Sequence, residues 1–161
     1  MSELKYEAPK SVDAAVALLA AGDDSARIFA GGTDLLVQMR EEMIAPTLLV
    51  DIKNITETRS VTIGADDIRI GAAVTGAELG EHAELKALWP GVVEAVELIG
   101  SAQVQGRATV GGNLCNASPA ADSVPALTAA NARVSIAGPD GVRDVPVEEF
   151  SSGPGQTVLA A

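Results

Sequence analysis

Two glycine pairs, one in each half of the chain and about 80 residues apart, constrain the fold more than any other feature. The first pair, at 31–32, follows the short apolar segment 27–30, and the second, at 111–112, lies between Thr109 and Asn113. Because glycine has no Cβ, backbone N–H groups in such a segment can approach an anion that larger residues would keep away. Taken alone, the first pair also fits a tight strand-to-helix turn that binds nothing. Together the pairs predict two loops that face each other across a cleft and enclose one extended ligand with a diphosphate.

The charge of the chain limits what this cleft can bind. The formal net charge is -11, from 11 Lys and Arg residues against 22 Asp and Glu residues. A nucleic acid or an anionic membrane needs clustered basic residues, so neither is expected as a partner. A bound phosphate must then be held mainly by backbone N–H groups. The sequence has no run of about 18 apolar residues and no N-terminal signal pattern, so we expect a cytoplasmic protein without a membrane span.

The first 54 residues alternate between helical and strand patterns, which predicts a small α/β lobe. Ser11 is a candidate N-cap and Gly22 a candidate stop for the first helix. Thr33 and Asp34 are candidate caps for the helix that follows the first glycine pair. The predicted elements are a helix within 8–22, a strand over 27–30, a helix over 35–42 and a strand over 47–53. Two strands joined through a helix predict a parallel β-α-β unit with a right-handed crossover.

Residues 55–161 predict a larger α+β lobe with antiparallel strands and helices. Alternating apolar residues flank polar turns in two places, which is typical of hairpins. The predicted elements are strands over 61–64 and 68–72, helices over 75–84 and 88–99, and strands over 133–137 and 142–147. Gly100 is the predicted stop of the second helix. Residues 151–159 predict a loop that enters another strand, which is either exposed at an edge or, as we favour, covered by a partner segment.

The residues around both glycine pairs resemble a known family. The first motif reads Phe-Ala-Gly-Gly-Thr-Asp-Leu over 29–35, and the second reads Ala-Thr-Val-Gly-Gly-Asn over 108–113, with Ser-Pro-Ala-Ala-Asp following over 118–122. In this combination the chain is similar to the FAD-binding subunit of molybdenum hydroxylases, which include the medium subunit of carbon monoxide dehydrogenase and the flavin domain of xanthine dehydrogenase. The resemblance covers nearly the whole chain. It implies an α+β, PCMH-type FAD-binding domain made of the two lobes, 1–54 and 55–161.

The resemblance also implies which residues hold the cofactor. Residues 30–35 and 109–113 would hold the diphosphate and the neighbouring ribityl chain of FAD, Asp122 would bind sugar hydroxyls, and Ile99 would contact the flavin. In the family, further flavin contacts and a C-terminal domain follow, and both are absent from this sequence. We therefore expect the isoalloxazine end of FAD to be held poorly. The candidate cofactor-binding residues are Phe29, Ala30, Gly31, Gly32, Thr33, Asp34, Leu35, Ile99, Thr109, Val110, Gly111, Gly112, Asn113 and Asp122.

By the same resemblance, the chain is an FAD-dependent oxidoreductase subunit. A molybdenum cofactor in a large partner subunit oxidises the substrate, 2Fe–2S clusters in a small partner subunit carry the electrons onward, and FAD passes them to an external acceptor. Cys115 is the single cysteine, so cysteines of this chain cannot by themselves ligate an iron–sulfur cluster or a structural zinc. No catalytic acid, base or nucleophile and no metal ligand is predicted. The alternative is a nucleotide- or diphosphate-binding module, or a subunit-assembly module, without redox activity.

Five individual residues allow two interpretations each. Cys115 is either a packing residue or a redox thiol, and its small and apolar neighbours favour packing. His82 has no Cys or His partners nearby in sequence, which favours a solvated surface position over a metal site. Asp34 and Asp122 favour helix capping and hydroxyl binding over acid–base chemistry, because both precede apolar helical stretches. Trp89 either anchors the start of a helix or lies near the flavin.

Overall fold

The computed structural model describes residues 4–22 and 24–160. Both helices and strands are present, which confirms the α+β class. The helices are α1 (Val12–Ala21), α2 (Leu35–Arg40), α3 (Thr56–Arg59), α4 (Gly76–Glu81), α5 (Ala83–Leu88), α6 (Pro90–Glu97), α7 (Ala102–Gln105), α8 (Val110–Asn116), α9 (Ser123–Ala129) and α10 (Val147–Phe150). The strands are β1 (Lys5–Glu7), β2 (Arg27–Phe29), β3 (Leu48–Asp51), β4 (Val61–Ile63), β5 (Ile68–Ile70), β6 (Arg133–Gly138), β7 (Gly141–Pro146), β8 (Ser151–Gly153) and β9 (Gln156–Thr157).

Strands β1, β2 and β3 form a parallel sheet in the order β1-β3-β2. Tyr6 and Arg27 both pair with Leu49 on the central strand, and Phe29 pairs with Asp51. The predicted parallel β-α-β unit is confirmed, with α2 connecting β2 to β3. The sequence does not predict β1, because its three residues are all exposed and show no apolar alternation. Since the strands are parallel, their carboxyl ends lie at one edge of the sheet, where parallel sheets commonly bind ligands.

Helix α1, which the sequence predicts within 8–22, packs on this sheet. The Ser11 hydroxyl accepts a hydrogen bond from the Ala14 N–H at 3.3 Å, which confirms the N-cap, and the helix stops before Gly22. Ile55 and Ala73 lie beyond residue 54, yet both belong to the core beneath the helix. The predicted small lobe therefore shares its core with the rest of the chain. The buried members of this core are Ala15, Val50, Ile52, Ile55 and Ala73.

The region over 75–99 holds three helices where the sequence predicts two. Helix α4 begins at a capping box, in which the Thr75 hydroxyl accepts from the Glu78 N–H at 3.3 Å and the Glu78 carboxylate accepts from the Thr75 N–H at 2.8 Å. The predicted helix over 75–84 is interrupted at His82. Its Nδ1 atom accepts from the Leu85 N–H at 3.2 Å and so caps α5. His82 therefore has a local structural role in addition to its partly solvated position.

Helix α6 begins at Pro90 and ends at Glu97, three residues before Gly100. Trp89 occupies the N-cap position with Pro90 as the first helical residue, which agrees with the helix-start interpretation of Trp89. Gly100 has φ +63°, a left-handed conformation that favours glycine and fits the predicted stop. The buried face of α6 carries Val92, Val93, Ala95 and Val96.

A larger core lies among α4, α6, α8, α9 and the hairpins. The antiparallel strands pair as β4-β5, β6-β7 and β8-β9, so they form three separate two-stranded sheets rather than one continuous sheet. The first two hairpins are those predicted from the alternation of apolar residues, and the third falls in the segment 151–159. The buried members of the larger core are Val74, Leu79, Leu85, Val92, Val93, Val96, Val110, Leu127 and Val147.

Candidate functional site

The first glycine motif leaves the carboxyl end of β2 and leads into α2. Gly32 has φ +77°, which a residue with a Cβ rarely adopts, and the Leu36 N–H donates to the Gly32 carbonyl at 3.1 Å. Within residues 4–22 and 24–160, no backbone N–H of residues 31–35 has a hydrogen-bond acceptor. Successive unpaired N–H groups in a tight turn form a concavity that binds anions. The predicted loop is therefore present at this edge of the sheet, and its backbone N–H groups are free of partners among the described residues.

Asp34 does not cap α2 in the way that the sequence predicts. It occupies the N-cap position, but its backbone is already helical, with φ -95° and ψ -47°, and its side chain makes no capping hydrogen bond. A side-chain cap requires an extended backbone at this position. The first turn of α2 therefore keeps its N–H groups available.

The second glycine motif is the first turn of a helix, so the prediction of a loop over 109–113 is wrong. Thr109 is the N-cap of α8, and its hydroxyl accepts from the Gly112 N–H at 2.9 Å. The Asn113 N–H donates to the Thr109 carbonyl at 2.9 Å. In the described part of the chain, the N–H group of Gly111 has no acceptor, whereas Val110 is buried next to an isolated antiparallel bridge between Thr75 and Thr109. The motif thus still presents a backbone donor, now at a helix N-terminus with its positive partial charge.

A direct backbone contact brings the two motifs together. A Cβ added to Gly31 would lie 2.1 Å from the carbonyl oxygen of Arg107, two residues before Thr109. On α8, a Cβ at Gly111 would lie 2.6 Å from the carbonyl oxygen of Ala72. The sequence predicts that these glycines admit a ligand. In the structure, the missing Cβ of each one admits another segment of the same chain.

The amide of Asn113 is oriented by a buried hydroxyl. Ser123 is fully buried, and its Oγ donates to Asn113 Oδ1 at 2.5 Å. Because the amide oxygen already accepts this hydrogen bond, the Asn113 NH2 group remains as the donor for a ligand. Ser123 does not stand out in the sequence, since a serine inside a helix carries no local signal of a contact ten residues away.

Asp122 and Ile99 lie further along the same part of the fold. Asp122 precedes α9, is exposed, and makes no capping hydrogen bond with its side chain. Its carboxylate is thus available to accept hydrogen bonds, whereas the capping interpretation is wrong. Ile99 is half-buried and packs against the larger core. The structure therefore gives Ile99 a packing role of its own.

A charged cluster lies beside the first motif, at the carboxyl ends of β1, β2 and β3. Lys53 Nζ donates to the Ala30 carbonyl at 2.9 Å and lies 2.9 Å from Asp51 Oδ1. The same ammonium lies 3.9 Å from the centroid of the Phe29 ring. Tyr6 donates its hydroxyl to the other carboxylate oxygen of Asp51. Of the residues in this cluster, Phe29 and Ala30 are predicted site residues. Lys53 and Asp51 are not predicted from the sequence as site residues.

The electrostatics of this cluster favour an ion pair. Burial alone would raise the pKa of the Asp51 carboxyl, but the hydrogen bonds from Tyr6 and Lys53 outweigh it and lower the pKa. Asp51 is therefore ionised at neutral pH, and Lys53 is its counter-ion.

Cys115 lies on α8, just beyond the second motif. The residue as a whole is exposed, yet desolvation of its thiol raises the pKa to about 11. A thiol with this pKa is protonated at neutral pH and therefore a poor nucleophile. This favours the packing interpretation of Cys115 over the redox one.

The described residues contain neither a metal site nor a membrane-spanning helix. No group of three or more His, Cys, Asp and Glu side chains there is placed to hold a metal ion. None of the helices in that part of the chain is long and apolar enough to span a membrane. An open apolar pocket of about 250 Å³, which Leu114, Val124 and Phe150 help to line, contains no residue of either glycine motif. The two glycine motifs lie side by side and carry the candidate backbone donors for an anionic ligand.

Comparison with known proteins identifies the family. Residues 2–161 match a family described as FAD binding domain in molybdopterin dehydrogenase. The chain is 37% identical over 142 residues to the xanthine dehydrogenase FAD-binding subunit of Escherichia coli O157:H7, covering 88% of this chain and 49% of that protein. It is 36% identical over 155 residues to the carbon monoxide dehydrogenase medium chain of Hydrogenophaga pseudoflava, covering 96% of this chain and 54% of that one. The chain thus spans about half the length of these curated relatives.

Solved structures show the same likeness. A chain of the Hydrogenophaga pseudoflava carbon monoxide dehydrogenase that lacks the Mo-pyranopterin moiety of the molybdenum cofactor matches with a TM-score of 0.93 and 35% identity, over 98% of this chain and 55% of that chain. A chain of quinoline 2-oxidoreductase from Pseudomonas putida 86 matches with a TM-score of 0.92 and 29% identity, over 97% of this chain and 54% of that chain. The resemblance stated from the sequence and the fold it implies are confirmed.

Proposed function

Because the chain belongs to the family of FAD binding domains in molybdopterin dehydrogenases, we propose that it binds FAD between its two glycine motifs and serves as the flavin subunit of such an enzyme. The observation that carries this proposal is the convergence of unpaired backbone donors. The N–H groups of residues 31–35 and that of Gly111 lack acceptors in the described part of the chain, and the Gly31–Arg107 contact holds the two motifs close together. A diphosphate supplies the matching acceptors without requiring a cation from this acidic chain.

Most of the predicted residues then have a role that fits their position. The backbone N–H groups of residues 31–35 and of Gly111 bind the diphosphate, and the Asn113 NH2 group donates to a phosphate or ribityl oxygen. Asp122 accepts hydrogen bonds from sugar hydroxyls. Ile99 contacts the flavin in this proposal, a role supported by the resemblance to the family rather than by a contact with either motif.

The chain contributes binding and electrostatics rather than acid–base or nucleophilic groups. FAD, when bound, would supply the redox chemistry that links the one-electron iron–sulfur clusters of the partner to an external acceptor. The backbone donors of this chain neutralise and orient the diphosphate, and the ordered Asn113 amide fixes the position of the neighbouring ribityl chain.

The partners belong to the same proposal. We assign the molybdenum cofactor to a large subunit and the 2Fe–2S clusters to a small subunit, with an external acceptor that takes electrons from FAD. This is supported by relatives named as the medium chain of carbon monoxide dehydrogenase and the FAD-subunit of nicotinate dehydrogenase. A cytoplasmic location is part of the same proposal. The substrate is chosen in the large subunit.

The second candidate function is a nucleotide- or diphosphate-binding module, or an assembly module, without electron transfer. It is favoured by the backbone donors of the glycine motifs, which are complementary to the diphosphate of any nucleotide.

Titration of the purified chain with FAD and with ADP tests both functions. The flavin function predicts saturable binding of one FAD per chain, followed by visible absorbance and equilibrium dialysis. Binding of ADP with equal affinity and no reduction of bound FAD by the partner subunits would support the second function instead. If neither ligand binds, the assigned site is wrong.

The exposed carboxylate of Asp122 offers a variant that should not disturb folding. Asp122→Ala removes the acceptor for sugar hydroxyls, and because a hydrogen bond to a charged group contributes about 1.5–3 kcal/mol, we expect the Kd for FAD to rise at least about 10-fold. Asp66→Ala, which changes an exposed acid in the β4–β5 turn, is the matched control. An unchanged Kd in Asp122→Ala would remove Asp122 from the site.

A further inference from the structure

Lys53 makes the contact that decides how the first glycine motif is presented. Its ammonium reaches from just beyond β3 to the carbonyl of Ala30, 2.9 Å away, and Ala30 is the residue immediately before Gly31. We infer that Lys53 is a positioning residue for the cofactor diphosphate, acting through the peptide that joins Ala30 to Gly31. This inference rests on the proposed FAD site.

The geometry of a trans peptide transmits the effect of Lys53. The chain has no cis peptide bond among its described residues, so the carbonyl of Ala30 and the N–H of Gly31 point in opposite directions across a planar unit. When Lys53 holds the carbonyl, the N–H of Gly31 is fixed on the side away from the ammonium. That N–H has no acceptor in the part of the chain that the structure describes. It is therefore a donor held ready for a ligand.

The other side of Gly31 is fixed as well. The carbonyl oxygen of Arg107 lies 2.1 Å from the position that a Cβ of Gly31 would occupy. Gly31 is thus held between a hydrogen bond on the preceding carbonyl and a backbone contact at its Cα. Because this peptide is already ordered, it loses little conformational entropy when a ligand binds.

The position of Lys53 is itself strongly determined. Asp51 is 4% exposed and accepts from both the Lys53 ammonium and the Lys53 backbone N–H, each at 2.9 Å. The hydroxyl of Tyr6 holds the second oxygen of Asp51, and the face of Phe29 lies under the ammonium. Strands β1, β2 and β3 thus each contribute one side chain to the support of Lys53. The three-stranded sheet thus fixes the ammonium that donates to the Ala30 carbonyl, next to the first glycine motif.

A positioning role for Lys53 affects those ligands that contain the diphosphate. FAD and ADP share the diphosphate, so both lose affinity when the Gly31 N–H is no longer fixed. In Lys53→Met the apolar stem over Phe29 is retained while the ammonium is lost. We expect the Kd of the full chain for FAD and for ADP to rise by about 10-fold in each case. Without Lys53 the Gly31 N–H must become ordered when the ligand binds, so its hydrogen bond contributes less to the affinity.

Three further measurements separate positioning from general stability. Lys53→Arg keeps the charge and the donors and should restore both Kd values to within about threefold of the unsubstituted chain. Lys86→Met removes an ion pair with Glu97 of 3.0 Å at an exposed site and should leave both Kd values unchanged. The 31P resonances of bound FAD should shift in Lys53→Met but not in Lys86→Met. All variants are compared at a temperature where circular dichroism shows them folded.

The outcomes distinguish this inference from the proposed function. If the unsubstituted chain binds FAD and Lys53→Met binds FAD and ADP with unchanged Kd and unchanged 31P resonances, the positioning role is overturned while the FAD site stands. If the unsubstituted chain binds neither ligand, both fail. If Lys53→Met does not fold, Lys53→Gln replaces it with the same expected rise in Kd, and an unchanged Kd there also overturns the role.

Discussion

Tyr6 reports on the charged cluster because it is the single tyrosine of the chain. Its hydroxyl donates to the Asp51 carboxylate, and this hydrogen bond raises the pKa of the phenol, with smaller contributions from desolvation and from the negative charge of Asp51. Since the pKa is raised in the folded state, the contribution of this bond to stability is present below about pH 10 and is lost as the pH rises through the folded-state pKa.

An absorbance titration of the phenolate tests this bond. We expect the midpoint for the folded chain to lie above 10.0, and the midpoint for the chain unfolded in urea to lie near that ordinary value. Equal midpoints in the two states would show that Tyr6 does not hold Asp51. The titration reads one group, because no second tyrosine contributes to the signal.

The residues of the site differ in how far sequence alone reveals them. The glycine motifs are visible because two unusual dipeptides recur with their polar neighbours. Lys53 and Ser123 are not visible, since each acts on a residue far away along the chain, Ala30 in one case and Asn113 in the other. Contacts of this kind depend on the parallel pairing of β2 with β3 and on the packing of α8 against α9.

At the scale of elements, α8 depends on its N-cap. Its sequence contains Gly111 and Gly112, each of which disfavours a helix by about 1 kcal/mol relative to alanine. The Thr109 hydroxyl compensates by accepting from the Gly112 N–H, and Val110 is buried in the larger core. A helix that relies on a cap and on tertiary packing gives no clear helical pattern, which explains why the sequence predicts a loop here.

Substitution of the cap should therefore destabilise the chain. Thr109 is 2% exposed, so Thr109→Ala loses both a cap and some packing, and we expect the free energy of unfolding to fall by about 1–2 kcal/mol. Thr109→Ser keeps the hydroxyl and is the matched control. We expect its free energy of unfolding to fall by clearly less than that of Thr109→Ala. Urea denaturation followed by circular dichroism measures both. Equal losses in the two variants would mean that packing of the methyl group, not capping, stabilises α8.

Element boundaries follow the same logic elsewhere. Helix α1 is predicted well because Ser11 and Gly22 are local signals that the structure uses as such. The helices α4 and α5 are merged in the prediction, since a histidine that caps a helix through its ring, as His82 does, does not stand out from a helical pattern. Strand β1 escapes prediction because three exposed residues owe their conformation to pairing with β3 alone.

At the scale of the whole molecule, the division into lobes at residues 54 and 55 stays a prediction. The core beneath α1 includes Ile55 and Ala73, which are 1% and 0% exposed, and Gly31 contacts the backbone of Arg107. Both features join the two proposed lobes. A chain in which the two proposed lobes share a core is expected to unfold as one unit.

Expression of residues 1–54 alone tests this expectation. Without Ile55, Ala73 and the backbone of Arg107, the fragment cannot complete its core, so we expect no cooperative thermal transition by circular dichroism. The 161-residue chain should show one transition under the same conditions. A cooperative melt of the fragment would show that the first lobe is an independent domain.

The contact between Gly31 and Arg107 bears on how descendants of this protein diverge. Selection for the fold alone retains Gly31 and Gly111, because each fits against another segment of the chain whether or not a cofactor is bound. A lineage that abandoned flavin would therefore keep both glycines for a long time. Asp122 is exposed and does not cap its helix, so the fold does not require it. In such a lineage we expect Asp122 to be substituted earlier than the two glycines. The evolutionary record of cofactor loss is thus expected at the carboxylate and not at the glycines.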